Sequence, residues 1–430
     1  MNPEELLKLK SRVFWISFFV MASRITSIIP FQLISIWIND HVSDSVTWYK
    51  AIDISYSAGF TIGSFLTGFM CDRLSIKHIV LFGSFVSATL NIIYAVIIRT
   101  NTKSLPAFII IWTLKGFTQS AVWPGIISVC ANWISNRKKT GFSMGVFSLN
   151  SLLGLVVFFL TLFIIYIFGL FVISLALSSI FMIIIGLLFF VYVVEKPDQN
   201  LEINFVESTL VPTDATPTVP EQEKLGISFS DAFKVFGVKY FSVYYAILNM
   251  IIFVFANSYY TSHDFLFCTI SFYFPLFESG GLIGVFLLGY LSDKYKSRTV
   301  FMIVLQALAI PFSFILLLKV SAFSPLYYLI IFIYGFLLKG ISNTIGFVVP
   351  VDLAYNDRLF PLKTKVSTIS GIINGGGAFG AFLTKLCFLR SQSEDNLATA
   401  IVVLVLIICA LCVLVPYCVK EYRKKAYQLT

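Results

Sequence analysis

Twelve apolar runs, each long enough to cross a bilayer, partition this chain and decide most of what it can fold into. They lie near 12–36, 47–71, 79–98, 105–131, 141–165, 167–194, 240–262, 267–291, 299–320, 324–350, 366–389 and 397–419. A tilted helix needs about 20–25 residues to cross hydrocarbon about 30 Å thick. In lipid every backbone N–H and C=O must be satisfied within the spanning structure, which leaves helices or a closed barrel. Barrel strands are about ten residues long and alternate in polarity, and these runs do neither. With 58% hydrophobic and 12% charged residues and a mean hydropathy of +0.88, against about 25% charged in soluble domains, the 430 residues leave no room for a large soluble domain. The fold class read from the chain is an all-α membrane protein of twelve transmembrane helices.

The basic residues orient it. Counting the N-terminus as inside, the inner segments carry 22 of the 31 Lys and Arg, while the opposite side carries six: Lys50, Arg99, Lys103, Lys319, Lys385 and Arg390. Positive charge marks the cytoplasmic side, so both termini are expected there. The net charge of +9 is therefore a topology signal, and its scatter over membrane loops argues against a nucleic-acid partner. Met1 to Lys10 shows no small-residue cleavage site, so the first span is read as retained. Between Glu195 and Lys239 the chain turns polar and holds Pro197, Pro212, Pro217 and Pro220, a linker composition. This gives three units: 1–194, a cytoplasmic linker 195–239, and 240–430. The run from Ser228 to Phe236 fits a short interfacial helix or an extension of the seventh span.

The two halves repeat. Gly59, Gly63, Gly68, Asp72, Arg73 and Lys77 recur as Gly280, Gly284, Gly289, Asp293, Lys294 and Arg298, every step offset by 221. Glycines at four- and five-residue spacing clear one helix face for a close neighbour. The charges that follow sit at cytoplasmic helix ends, where they can latch one state of a moving bundle. A second repeat, Lys115-Gly116-x-Thr118-Gln119 and Lys339-Gly340-x-Ser342-Asn343, has an offset of 224. In a pseudosymmetric pair of bundles these two lysines would face each other, each with an amide on the same helix face. An ionisable group within a span is a functional candidate by default, and Arg24, Lys115 and Lys339 qualify. Two readings of the lysines stand side by side: an anion clamp, or side chains reaching the outer interface.

Gly68-x-x-x-Asp72-Arg73-x-x-x-Lys77 and its copy resemble the loop signature of the major facilitator superfamily, with Ser75 where that pattern has Gly. Lys115 to Pro124, Asn132-Trp133 and Gly141, together with Asp352-Leu353 and the stretch from Ser367 to Ala381, resemble the organophosphate group within it, the sugar-phosphate exchangers and glycerol-3-phosphate permeases. The resemblance implies two pseudosymmetric six-helix bundles, a cavity lined by spans four and ten, and Arg24 as the phosphate ligand. A guanidinium suits that task because it donates two parallel hydrogen bonds and keeps its charge. Asn150 stands where the relatives have a histidine, and Ser258 beside Asn257 where they have a seventh-span arginine. Asp53 and Glu278 match acids of the relatives and can balance the bases, carry protons, or lock helices as ion pairs.

Other chemistries find no support. His41, His78 and His263 lack companions at metal-ligand spacing, the seven Cys form no disulfide framework, and no phosphate-binding Gly-Lys-Ser/Thr loop supplies ATP. No enzyme activity, metal or cofactor is expected. The function read from the chain is alternating-access exchange of a small phosphorylated metabolite for inorganic phosphate. The substrate-binding set is Arg24, Lys115, Gln119, Asn150, Lys339 and Asn343. The partners are a small anion and the lipid bilayer, the working unit is a monomer, and the membrane is the endoplasmic reticulum or the plasma membrane. A carrier of another organic anion, amino acid or small solute is the alternative.

Overall fold

A computed structural model describes residues 3–26, 37–38, 41–134, 139–168, 171–197, 226–260, 266–317, 325–356, 365–388 and 396–426. In the first half the helices are α1 (Pro3–Thr26), α2 (Ser45–Cys71), α3 (Ile76–Arg99), α4 (Leu105–Ser120), α5 (Val122–Trp133), α6 (Thr140–Phe147), α7 (Asn150–Phe168) and α8 (Phe171–Tyr192). After the linker come α9 (Phe229–Ala232), α10 (Val238–Tyr260), α11 (Leu266–Tyr295), α12 (Arg298–Leu317), α13 (Pro325–Tyr334), a π-helical turn (Gly335–Lys339), α14 (Gly340–Phe347), α15 (Val349–Asn356), α16 (Val366–Cys387) and α17 (Asn396–Ala426). Joined end to end where they continue one another, they form six rods in each half. Among the described residues ten rods are long and apolar enough to cross a membrane. The other two, α1 and α2, carry more polar side chains, and α2 buries Ser55, Ser57, Thr61, Ser64 and Thr67.

Burial is inverted relative to a soluble protein. Phe82, Val191 and Leu160 lie open on the outside, while Ser64, Ser87, Asn91, Gln119 and Ser370 are buried. Such a surface suits hydrocarbon, where apolar side chains face out and polar ones pair within.

Breaks in the rods follow from particular residues. Pro124 has no N–H for the Ser120 carbonyl four residues back, and the Thr67 hydroxyl of α2 donates to that carbonyl instead, at 3.4 Å. The fourth span therefore bends at Ala121 without an orphaned acceptor. In the tenth span the Gly340 N–H reaches back five residues to the Gly335 carbonyl, a turn that accommodates one more residue than an α-helical one. Helix α16 packs against both α2 and α10 with a small, polar sequence. Gly68 and Gly371 meet so closely that a Cβ on Gly68 would stand 2.7 Å from the Gly371 Cα.

The linker is anchored at both described ends. Trp133 and Asn132 donate to the carbonyls of Val194 and Glu195 at 2.8 and 3.0 Å, and the Glu195 carboxylate accepts from the Ser75 hydroxyl and the Lys77 N–H at 2.8 and 2.9 Å. At the far end the Arg73 guanidinium donates to the carbonyls of Gly226 and Ile227 at 3.2 and 2.6 Å. The Ser228–Phe236 stretch is a separate four-residue helix and not an extension of the seventh span, because Gly237, with φ +104°, turns the chain before α10. Residues 198–225, including Pro212, Pro217 and Pro220, lie outside the described residues.

Candidate substrate site and inner latches

At the helix ends after the glycine repeat the repeated acids perform the same task on opposite bundles. The Asp72 carboxylate, just past α2, accepts the N–H groups of Ser367 and Thr368 at 3.3 and 2.7 Å, at the start of α16. Asp293 accepts those of Gly141 and Phe142 at 3.1 and 2.8 Å, at the start of α6. Each acid satisfies N–H groups that the helix itself leaves free, at the positive end of its dipole. Burial pushes the Asp72 carboxyl up, and the bonds from Thr368 and Ser367 draw it back. Gly289 seats against Gly141, where a Cβ would stand 2.5 Å from the Gly141 carbonyl oxygen, as Gly68 does against Gly371.

The basic members diverge. Arg298 bridges Asp293 at 3.0 Å and pairs with Asp352. Arg73 covers the Phe69 ring at 3.4 Å and serves the linker. Lys77 contributes its backbone N–H to Glu195, and Lys294 is exposed beside Tyr295.

Between the two halves, charged and aromatic groups from both converge. Arg24, in the last described turn of α1, covers the Trp123 ring at 4.8 Å, and Tyr56, Tyr245 and Glu278 lie within its electrostatic reach. Lys339 pairs with Glu278 at 2.8 Å and shares Tyr245 and Arg24 as neighbours. Trp123 donates across the bundle interface to the Gly346 carbonyl at 3.3 Å and packs on Phe347 at 4.6 Å. The Tyr56 hydroxyl donates to Gln119 at 2.7 Å, and Gln119 donates to Ser87 at 3.2 Å. Two bases and one acid leave this group net positive, walled by aromatic rings.

Not every expected residue joins it. The repeat that pairs Lys115 with Lys339 is not the structural one. Gly116 packs on the Tyr56 carbonyl and Gly335 on the Phe277 carbonyl, so Gly116 matches Gly335, offset by 219, not Gly340. Past the π turn Gly63 meets Ser120 and Gly284 meets Gly340, an offset of 220. Lys339 therefore stands at the level of Gln119, and Lys115 at the level of Tyr334. The inserted residue aims Lys339 at Glu278, its stem crossing Gly281, where a Cβ would lie 2.6 Å from the Lys339 Cβ. Lys115 instead lies buried inside the first bundle over the Trp112 ring at 4.3 Å.

Asn150 turns back to the Phe147 carbonyl at 2.6 Å, capping the break between α6 and α7. Asn343 sits one turn beyond Lys339 with its Nδ2 unbonded among the described residues. Asp53 does not accompany Arg24. It pairs with Lys385 of α16 at 2.7 Å, with Ser57 accepting a second bond from the ammonium at 2.9 Å, and so joins the two halves at the end of α2 away from Asp72.

These arrangements meet what sequence comparison finds. The family profile of the Major Facilitator Superfamily matches residues 13–385. The chain belongs to the Major Facilitator Superfamily. It is a multi-pass membrane transporter of that family, with two six-helix halves. Among its relatives, a protein of Arabidopsis thaliana named for glycerol-3-phosphate transport is 24% identical over 78% of this chain and 73% of its own length. Sugar phosphate exchanger 3 of Bos taurus is 25% identical over 86% of this chain and 79% of its own. A bacterial homologue of the iron transporter ferroportin, solved in an outward-facing state, superposes with a TM-score of 0.66 at 12% identity, covering 95% of this chain and 99% of that one. At that identity the likeness concerns the fold alone.

In this major facilitator chain the two-fold also reveals a midplane residue that motif reading missed. Tyr245 lies 221 positions after Arg24, the offset of the glycine repeat, and is the α10 residue beside it. Ser258 and Asn257 belong to the last two turns of α10, and their side chains lie outside the described residues. The signal for Tyr245 was present in the chain, since the same offset applied to Arg24 finds it. Tyr56 and Trp123 carried no such mark, because aromatic residues are too common here to stand out.

Proposed function

We propose that this transporter exchanges a small phosphorylated metabolite for inorganic phosphate across its membrane by alternating access. The observation that carries the reading is the midplane group of Arg24, Lys339 and Glu278 between the two halves. While the site is empty Glu278 occupies the Lys339 ammonium. An entering phosphate dianion competes for that ammonium and takes two parallel bonds from Arg24. Trp123, Tyr56 and Tyr245 then supply walls and hydroxyls for the organic part. Breaking the Asp72 and Asp293 latches opens the inner face, and breaking Asp53–Lys385 opens the outer one. The names of the relatives support the substrate class. The scheme places both termini in the cytoplasm, in the endoplasmic reticulum or plasma membrane, with 195–239 as the cytoplasmic linker, a monomer as the working unit, and neither cofactor nor metal.

A second reading has its own support. Glu278 beside Lys339, with a tyrosine at the position two-fold to Arg24, offers both signs of charge, which suits an amino acid or other zwitterion.

Uptake of labelled phosphate into phosphate-loaded proteoliposomes, chased with sugar phosphates, triose phosphates, carboxylates and amino acids, separates the two. The exchange reading expects phosphate counterflow that sugar or glycerol phosphates compete. Folded protein that moves amino acids or carboxylates but no phosphate overturns it.

A further inference from the structure

Inside the first bundle a group of polar side chains is buried without hydrogen-bond partners, away from the substrate site. Lys115 is 1% exposed, Asn91 0% and Tyr94 1%. Among the described residues the Lys115 Nζ, both amide atoms of Asn91 and the Tyr94 hydroxyl make no hydrogen bond. Antiparallel α3 and α4 bring them together. Gln119 of α4 donates to Ser87 of α3 at 3.2 Å, and about two turns further along the pair the rings of Tyr94 and Trp112 meet at 5.9 Å. Asn91 lies one turn from both Ser87 and Tyr94, and Lys115 one turn from both Gln119 and Trp112, so Asn91 and Lys115 occupy the same level.

Buried polar groups in native proteins are almost always satisfied, by protein, water or an ion, and an unpaired buried ammonium is the costliest to leave alone. Water would satisfy Asn91 and Tyr94 but would not neutralise Lys115. Donors outnumber acceptors here: three N–H bonds of the ammonium, two of the Asn91 amide and one hydroxyl, against the Asn91 Oδ1 and the Tyr94 oxygen. The Lys115 ammonium stands over the Trp112 ring at 4.3 Å, a contact that supplies no counter-charge. All three side chains are at most 1% exposed, so a ligand held among them is small.

We propose that Lys115, Asn91 and Tyr94 form a buried binding site for a monatomic inorganic anion of the halide class, with chloride as its occupant, separate from the site that holds the transported substrate. The bound anion completes the interior of the first bundle as a counter-ion to Lys115.

The test is thermal unfolding of the purified full-length chain in sodium chloride against sodium gluconate at constant ionic strength, without transport substrate. The expected result is a midpoint that rises with chloride and saturates, with bromide replacing chloride. Lys115→Met should lose the chloride dependence, and Asn91→Leu should shift it to several-fold higher chloride. Iodide should quench a saturable part of the tryptophan emission that is missing in Trp112→Phe. A wild-type midpoint equal in chloride and gluconate, or a chloride shift unchanged in Lys115→Met, overturns the proposal. If Lys115→Met does not fold, Asn91→Leu and the iodide comparison decide it: unchanged chloride dependence in the first and unchanged quenching in Trp112→Phe are equally fatal. Because no transport is read, failure here leaves the exchange reading where it stands.

Discussion

The acids at the helix ends, Asp72 and Asp293, keep the two-fold symmetry of this transporter, and the Arg24 group breaks it. Asp72 and Asp293 each satisfy two N–H groups at the start of a helix in the opposite half. Further along the helices, Arg24 answers to Tyr245, Gln119 to Lys339 and Lys115 to Tyr334. The difference follows from the tasks. Rocking two halves about one pivot calls for equivalent contacts that open and close together, whereas a small asymmetric substrate is recognised by different groups on its two sides.

The largest expected effect separates Arg24 from its twin. Arg24→Ala should reduce exchange by roughly a hundredfold or more, the loss expected when charge-assisted bonds worth about 3–4 kcal/mol are removed from a desolvated site. Tyr245→Phe, which deletes one hydroxyl, should cost less than about tenfold. Similar losses in the two variants, measured as counterflow in proteoliposomes, would erase the asymmetry.

Next comes the Lys339–Glu278 pair. Removing one partner strands a half-buried charge and should destabilise by about 1–3 kcal/mol, while the double variant Lys339→Met/Glu278→Met should recover most of that stability. Thermal unfolding of the two single variants and the double gives the coupling. Additive losses would mean that the pair does not hold the empty site.

The glycine contacts sharpen the symmetric side. Gly371→Ala places a Cβ 2.6 Å from the Ser64 carbonyl, and Gly141→Ala places one 2.7 Å from the Gly289 carbonyl. Overpacking of this kind costs about 1–3 kcal/mol, enough to shift the population roughly tenfold toward an open inner face. Spin-label distances between the inner helix ends should widen to the same degree in both variants. A response from only one would show that the two latches are unequal.

The smallest effect is on pH. Because burial raises the Asp72 carboxyl in the closed latch, the closed state binds a proton more readily than a state with Asp72 in water, so falling pH favours closure and rising pH withdraws that support. The window starts in the ordinary carboxylate range near 3.9 and extends upward. Asp72→Asn should flatten this dependence in the same spin-label measurement.

Much of this architecture is legible in the chain because lipid imposes strict rules. Length and apolarity reveal the spans, and the 221-residue repeat by itself places both acids at equivalent helix ends. The same offset, carried to Arg24, reaches Tyr245. What misleads is local similarity. Lys115-Gly116 and Lys339-Gly340 look like a repeat, yet the π turn at Gly335–Lys339 inserts a residue in one half, and helix register depends on backbone hydrogen bonding that residue identity does not announce. Asp53 fits the ion-pair reading left open for it, but its partner was not legible. Lys385 is 332 positions away, and only the packing of α2 against α16 shows that this acid joins those two helices.

The central claim is that the anion site takes one cation from each half, Arg24 and Lys339, and excludes Lys115. Affinity for a phosphorylated ligand, measured by calorimetry on purified Arg24→Gln, Lys339→Gln and Lys115→Gln in a fixed chloride concentration, tests it most directly. The account predicts that the first two each weaken binding at least tenfold while the third binds as the wild type does. Binding lost in Lys115→Gln and intact in Lys339→Gln would contradict it.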